Sequence, residues 1–277
     1  MKAIILSAGE GSRMRPLTLT KPKTMLPVAG KPIIRYIIES LRDNGITDIL
    51  LIVRYKEEMV RDYFGDGSEL GVNITYKTQK DFLGTANAIY YGKDFIDDSL
   101  IVLNGDLILD NEIIKEIIEK YDDLKPDTLM VLTEVEDPSA FGVVEIEDGN
   151  IKSIVEKPKK EEAPSNLINT GIYIFNKDIF NKIEKTEISQ RGEYEITDSL
   201  TLQIEDLLHY IIGSFKVALW LFRGIASTVE PYLPFRSKDP TEIQIIVLFV
   251  FLHSWVRGYF LDIYFVFFVH FVLEGVQ

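Results

Sequence analysis

The chain has 277 residues, 46% of them hydrophobic and 26% charged, with a formal net charge of −13, enough for one large domain or two modest ones with ample core. A pI near 4.8 argues against nucleic-acid partners and against docking on anionic membranes, since both require a basic face. The absence of cysteine excludes a disulfide scaffold, a thiol nucleophile and thiolate metal sites, and three scattered histidines (His209, His253, His270) do not suggest a zinc centre.

In chain order, "MKAIIL" lacks the length and cleavage site of a signal peptide, so a cytoplasmic protein is expected. "KAIILSAG" reads as a buried strand entering a turn. "IIRYIIESLRDNG" sets Ile33, Ile34, Ile37, Ile38 and Leu41 on one helical face, with Gly45 at the stop. "DILLIV" is a second buried strand, "EEMVRDYF" a short helix closed by "GDG", and "NITYKT" an alternating strand. "TANAIYYGKDF" resumes helical spacing. "SLIVLNGD" is a third buried strand, "NEIIKEIIEKY" a helix and "DTLMVLTEV" a strand. This alternation predicts a mostly parallel α/β sheet as far as about Glu136. Beyond it, "FGVVEIEDGNIKSIVEKP" reads as a hairpin turning at Asp148-Gly149-Asn150. "NTGIYIFN" reads as a strand and "DIFNKIEK" as a helix, and "KPKKEEAPSN" is a charged surface loop.

The first glycine turn is followed by a stretch that does not match the acidic whole. Between Glu10 and Glu39 there is no acid, but there are Arg13, Arg15, Lys21, Lys23, Lys31 and Arg35. Glycine turns let backbone N–H groups approach phosphate closely. Gly9-Glu10-Gly11 is not a dinucleotide fingerprint, because Met14 stands where its third glycine belongs, and no G-x-x-x-x-G-K-[ST] loop exists in the chain. Pro16, Pro22 and Pro27 keep the segment from being one helix. A proline-interrupted loop of this kind can wrap a polyphosphate, or can pair with acids elsewhere on the surface.

Composition changes near Leu207. From there on only ten of 71 residues are charged, five of each sign, and the last 35 residues hold seven of the 16 phenylalanines. Residues 1–212 are therefore expected to form the working domain. Residues 213–277 are read as an atypical hydrophobic segment not native to the fold, such as a shifted reading frame would give. Arg257 and Asp262 interrupt its longest apolar run, which disfavours a membrane span.

The stretch "LSAGEGSRMRPLTLTKPKTMLPVAGKPII" resembles the N-terminal signature of sugar-1-phosphate nucleotidylyltransferases, roughly L-A-G-G-x-G-x-R-x-x-P-x-T-x-x-x-P-K. It fits at Gly11, Arg13, Pro16, Thr18, Pro22 and Lys23, and departs at Ser7-Ala8 ahead of Gly9. Six further blocks follow in family order: Gln79 with "LGTANA", "NGD", "FGVV", "VEKP", "NTGIY" and "RGEYEITD". The resemblance implies a Rossmann-like, mostly parallel mixed sheet flanked by helices, the nucleotide-diphospho-sugar transferase fold.

It also implies the reaction. The phosphate of a sugar 1-phosphate, most simply glucose 1-phosphate, attacks the α-phosphorus of dTTP or UTP and releases pyrophosphate. Such chemistry is positioning plus charge neutralisation. By the resemblance, Arg13 and Lys23 hold the triphosphate, and Ala8, Gly9 and Gly11 support base and phosphates. Gln79 reads the base edge, with Gly84 and Thr85 closing its pocket. Asp106 binds Mg2+ and the nucleotide. Gly142, Glu156 and Asn169 contact sugar hydroxyls, and Lys157 holds the sugar phosphate. The family's second metal carboxylate, in a W-x-D-x-G segment, is missing after Trp220, and Asp262 is the nearest counterpart. Alternatives are an N-acetylglucosamine-1-phosphate uridylyltransferase, though the acyltransferase domain often fused to that activity is not seen, and a catalytically impaired nucleotide- or sugar-phosphate-binding protein. A homo-oligomer stays open. A dinucleotide oxidoreductase is disfavoured by the broken fingerprint.

Overall fold

The computed structural model describes residues 1–81, 83–109, 111–147, 150–204, 210–212, 246–256 and 259–269. The chain divides into two compact units, Met1–Ala226 and Ser227–Gln277. The expected division after residue 212 falls at the edge of a stretch, 213–245, outside the described residues.

In the first unit, β1 (Lys2–Ser7) leads through three short 3-10 turns to a small hairpin, β2 (Pro27–Val28) and β3 (Lys31–Pro32). Then follow α1 (Ile33–Asp43), β4 (Asp48–Val53), α2 (Glu57–Phe64), β5 (Asn73–Thr78), α3 (Thr85–Tyr90), β6 (Ser99–Asn104), α4 (Asn111–Leu124) and β7 (Thr128–Glu134). The remainder is β8 (Gly142–Glu147), β9 (Asn150–Glu156), β10 (Leu167–Asn176), α5 (Ile179–Ile183), α6 (Ile196–Ile204) and β11 (Tyr210–Ile212).

The sheet order is β11-β7-β10-β6-β1-β4-β5, with β8 pairing β10 and β9 pairing β8. Strands β6, β1, β4 and β5 are parallel neighbours, and β10 runs antiparallel between β6 and β7. The mixed, mostly parallel sheet matches the expectation. The position of β10 goes beyond it, since β7 does not lie beside β6.

Strand periodicity of two sorts the core into two layers. Ala3, Ile5, Ile49, Leu51, Val53, Ile101, Leu103, Leu129 and Val131 face α1, α2 and α4. The alternating residues Ile4, Leu50, Ile52, Leu100, Val102, Met130 and Leu132 face α3, α5 and α6. Runs apolar on both faces are what a sheet covered by helices on both sides requires. All five expected apolar positions of α1 are fully buried. Its chain reverses at Gly45, in the left-handed region at φ 81°, where a side chain would be strained. Helix α3 is shorter than its sequence spacing suggested. The chain turns at Gly92, where an added Cβ would lie 2.2 Å from Ile4 Cδ1, so this turn is pressed against the sheet.

In the second unit, β12 (Ile246–Val256) and β13 (Tyr259–Val269) form an antiparallel pair with His253 opposite Asp262. Trp220, and with it the sequence reading of the lost W-x-D-x-G segment, lies outside the described residues. Among the described residues no helix is long and apolar enough to cross a membrane.

Candidate active site

A cleft of ≈ 170 Å³ opens at the carboxyl ends of the central parallel strands, the place where open α/β sheets bind ligands. Lys23, Thr85, Asp106, Gly142, Glu156, Lys157 and Asn169 all line it, although they come from six separate places in the sequence.

The topology explains the convergence. Asp106 follows β6 by two residues, beyond Gly105. That glycine packs so closely that an added Cβ would meet Leu6 O at 2.7 Å. Because β10 is antiparallel, its beginning lies beside the end of β6. The register of β10 on β7 slips between Asn169 and Tyr173, around Gly171 at φ 83°. An added Cβ at Gly171 would meet the Asn104 side chain at 1.9 Å, so this bulge needs glycine. The bulge delivers Asn169 to the cleft. Gly142, where β8 begins, pairs with Glu156, where β9 ends.

Polar contacts fix this wall. Asn169 Nδ2 donates to the Tyr173 hydroxyl at 2.5 Å, and the Gly171 N–H donates to Asn169 Oδ1 at 2.9 Å. Burial pushes the Tyr173 phenol upward, so it stays neutral at any physiological pH. Lys157 Nζ lies 2.5 Å from Glu156 Oε1, and the Lys157 N–H donates to Phe141 O at 2.8 Å. Thr197 Oγ1 donates to Glu156 Oε2 at 3.4 Å.

Arg191 and Glu195 complete the network, and neither was singled out from the sequence. Arg191 Nη1 lies 2.6 Å from Glu195 Oε1 and 3.4 Å from Glu156 Oε1. Glu195 is 4% exposed. Burial, and then the charge of Glu156, raise its pKa, with Arg191 opposing. Asp198 is raised for the same two reasons. The signal was present in "RGEYEITD", where three acids and one arginine stand within eight residues.

The opposing wall is the loop after β1. Lys23 Nζ pairs with Asp106 Oδ2. Ser7 Oγ and Thr24 Oγ1, 2.6 Å apart, hold the loop's two ends together. Ala8 is buried, and Gly9 and Arg13 are exposed. Gly11 adopts φ 67°, and a Cβ there would approach Lys23 Cβ to 2.9 Å. Arg13 makes no ion pair among the described residues, and Arg15 pairs with Glu10 at 3.2 Å.

Gln79 does not line the cleft. It is 1% exposed, and its Nε2 donates to Asn87 Oδ1 at 2.9 Å and to Gly84 O at 3.3 Å. Gly84 sits at φ 99°, with Tyr194 O 2.5 Å from where a Cβ would be. Thr85 Oγ1 accepts the Ile196 N–H at 3.0 Å, joining the starts of α3 and α6. The side chain of Asp262 lies outside the described residues.

A family model for nucleotidyl transferases matches residues 2–221. The chain is 41% identical over 223 residues to the low-salt glycan biosynthesis nucleotidyltransferase Agl11 of Haloferax volcanii, covering 79% of this chain and 61% of that protein. It is 36% identical over 272 residues to a protein of Methanocaldococcus jannaschii assigned as a UTP–glucose-1-phosphate uridylyltransferase, covering 85% of this chain and 96% of that one. A Bacillus anthracis structure assigned as a glucose-1-phosphate thymidylyltransferase, in complex with a sucrose, superposes with a TM-score of 0.73 at 31% identity over 86% of this chain and 98% of that chain. The chain spans 61% of the length of Agl11 and 47% of the bifunctional GlmU protein of M. jannaschii, which it also matches. On the matched span, the sheet order and the cleft at its strand ends, the chain belongs to the nucleotidyl transferase family.

Proposed function

We propose that the protein transfers a nucleotidyl group from dTTP or UTP to glucose 1-phosphate, giving a nucleotide sugar and pyrophosphate. The observation that carries this reading is the pairing of two walls across one cleft. Lys23 and Asp106 stand on one side, and Lys157, Glu156 and Asn169 on the other. Two anionic substrates must meet there on a protein of net charge −13, so each wall needs its own cation.

A phosphate oxygen of the sugar 1-phosphate forms the new bond to the α-phosphorus, while the bond from that phosphorus to the β-phosphate bridge breaks and leaves pyrophosphate. Arg13 and Lys23 offset the charge that develops on the triphosphate, and Lys157 holds the attacking phosphate. Glu156 and Asn169 accept and donate hydrogen bonds to the sugar hydroxyls, beside the space left by Gly142. Gln79, with its amide nitrogen committed to Gly84 and Asn87, supports the edge on which the base rests. Arg191 extends the basic set of the sugar-phosphate wall.

Magnesium fits the donor set at Asp106. This carboxylate is 29% exposed and already accepts a cation, the Lys23 ammonium. Among the described residues no group of three acidic or histidine side chains could cage a metal, and magnesium commonly takes one or two carboxylates with substrate phosphates completing its shell. When bound, the ion would neutralise triphosphate charge.

The choice of acceptor is supported by two similar proteins whose assigned activities name glucose 1-phosphate. Pyrophosphate release measured over a panel of nucleoside triphosphates and sugar 1-phosphates tests the reading. Highest turnover is expected for dTTP or UTP with glucose 1-phosphate. Preference for N-acetylglucosamine 1-phosphate would replace the acceptor, and no release with any pair would overturn the reaction.

A further inference from the structure

The middle turn of the basic loop, Leu17–Leu19, leaves both of its leucines exposed. Leu17 and Leu19 are 42% and 54% exposed, and Thr18 is its one buried residue. Burial of apolar surface therefore does little to hold the turn. Two polar contacts do so instead. Thr18 Oγ1 donates to Gly11 O at 2.9 Å. The Tyr55 hydroxyl lies 3.0 Å from Thr18 O and 3.2 Å from Leu19 O.

Tyr55 is well placed for this. It stands two residues beyond β4, and β4 runs parallel to β1 with Val53 opposite Ser7. The two chains thus leave the sheet side by side, one carrying the loop and the other the tyrosine. The Lys56 ammonium lies 5.6 Å from the centre of the Tyr55 ring. Gly11 packs closely against both Thr18 and Lys23, because a Cβ at Gly11 would meet Thr18 Cγ2 at 3.1 Å and Lys23 Cβ at 2.9 Å. Displacing Thr18 would accordingly disturb the turn that leads into Arg13.

We propose that Tyr55 is a positioning residue that latches the basic loop to the sheet and, through Thr18 and Gly11, holds Arg13 ready for the triphosphate. The inference rests on the proposed nucleotide reaction for its ligand, but the latch itself does not. One neutral hydrogen bond biases such an equilibrium about three- to tenfold. Apparent affinity scales with the fraction of protein in the competent form. Losing the hydroxyl therefore weakens nucleotide binding, while saturating nucleotide redraws the loop into place and preserves kcat.

The test uses the full chain and Tyr55→Phe, which keeps the ring and removes only the hydroxyl. Arg15 and Lys21 each precede a proline, so trypsin passes over both bonds, and cleavage after Arg13 reports on loop opening. Cleavage at that bond should be about three- to tenfold faster in Tyr55→Phe. KM for dTTP or UTP should rise by a smaller factor, because it follows the fraction of chains with the loop closed, with kcat within about twofold of wild type. Thr18→Val, acting on the same chain of contacts, should reproduce both effects. Wild-type cleavage and wild-type KM in Tyr55→Phe would overturn the latch, and so would a loss confined to kcat. If cleavage accelerates in the variant while neither dTTP nor UTP protects either protein, the latch stands and the nucleotide reading alone falls.

Discussion

The wall built from β8, β9 and the start of β10 is a closed set of hydrogen bonds, in which Glu156 is shared among Lys157, Arg191 and Thr197, and Asn169 is held at both ends of its amide. The opposing loop carries Arg13 exposed on a short turn, and Lys23 is paired with Asp106. One wall is assembled before any ligand arrives. The other holds Lys23 paired at the cleft and keeps Arg13 at the surface, where it can close around a flexible triphosphate. On the proposed reaction the contrast has a reason: a small rigid sugar phosphate suits a fixed mould, whereas a long polyphosphate suits a loop that can follow it.

Five substitutions would break or sharpen this contrast. The largest effect is expected at the junction of the two walls. Asp106→Asn should lower turnover by about 10³-fold or more, by analogy with loss of a main electrostatic group at a transferring phosphoryl centre. Circular dichroism should still report a folded chain, and wild-type activity should disappear with a chelator and return with magnesium. Full-rate pyrophosphate release after chelation would show Asp106 to be misassigned.

On the loop side, Arg13→Ala and Lys23→Ala should each reduce kcat by about 10²-fold. Arg13→Ala should leave the thermal midpoint unchanged, because its side chain is exposed and has no ion-pair partner among the described residues. On the mould side, a smaller and more selective effect is expected. The Cβ of Gly142→Ala would lie 3.0 Å from Glu156 Oε2 and 3.1 Å from Thr197 Cγ2. KM for the sugar 1-phosphate should rise about tenfold through misplacement of Glu156, with KM for the triphosphate unaltered. Equal changes in both constants would mean that the walls are not independent.

The smallest effect concerns pH. Glu195 has its pKa raised in the fold by burial and by Glu156. It therefore binds its proton more tightly folded than unfolded. Its contribution to stability is complete below the ordinary glutamate value of 4.5 and is lost as pH rises through the folded value. Glu195→Gln should remove that loss. In urea titrations the variant should gain on wild type as pH climbs from 4.5 upward, and a constant difference across that range would contradict the assignment.

Much of this architecture was legible because apolar spacing is a local property. The double isoleucines of α1 specify a helix whatever surrounds them, and "DILLIV" can only be buried on both faces. The insertion of β10 between β6 and β7 was not legible, because strand order depends on pairings between distant segments. For the site, the ordered blocks located Lys23, Asp106, Gly142, Glu156, Lys157 and Asn169, all of which reach the cleft. Gln79 was legible in identity but not in placement. Its identity suits recognition of a base, but only the fold reveals that it is 1% exposed with its amide nitrogen hydrogen-bonded to Gly84 and Asn87. Glu195 was passed over for the opposite reason, since an acid in a charged run reads as solvated until burial is known.

The antiparallel β10 also bears on how the chain comes to be folded. Strands β1, β4, β5 and β6 can pair as soon as they exist, but β6 then presents an unpaired edge. Its permanent neighbour emerges about seventy residues later, on the order of ten seconds of synthesis at ordinary ribosomal rates. Through that interval the Ser99–Asn104 edge can template contact with another nascent chain. A ribosome stalled between β7 and β10 would hold the half-made sheet in its most adhesive form, and release of β10 would end that hazard.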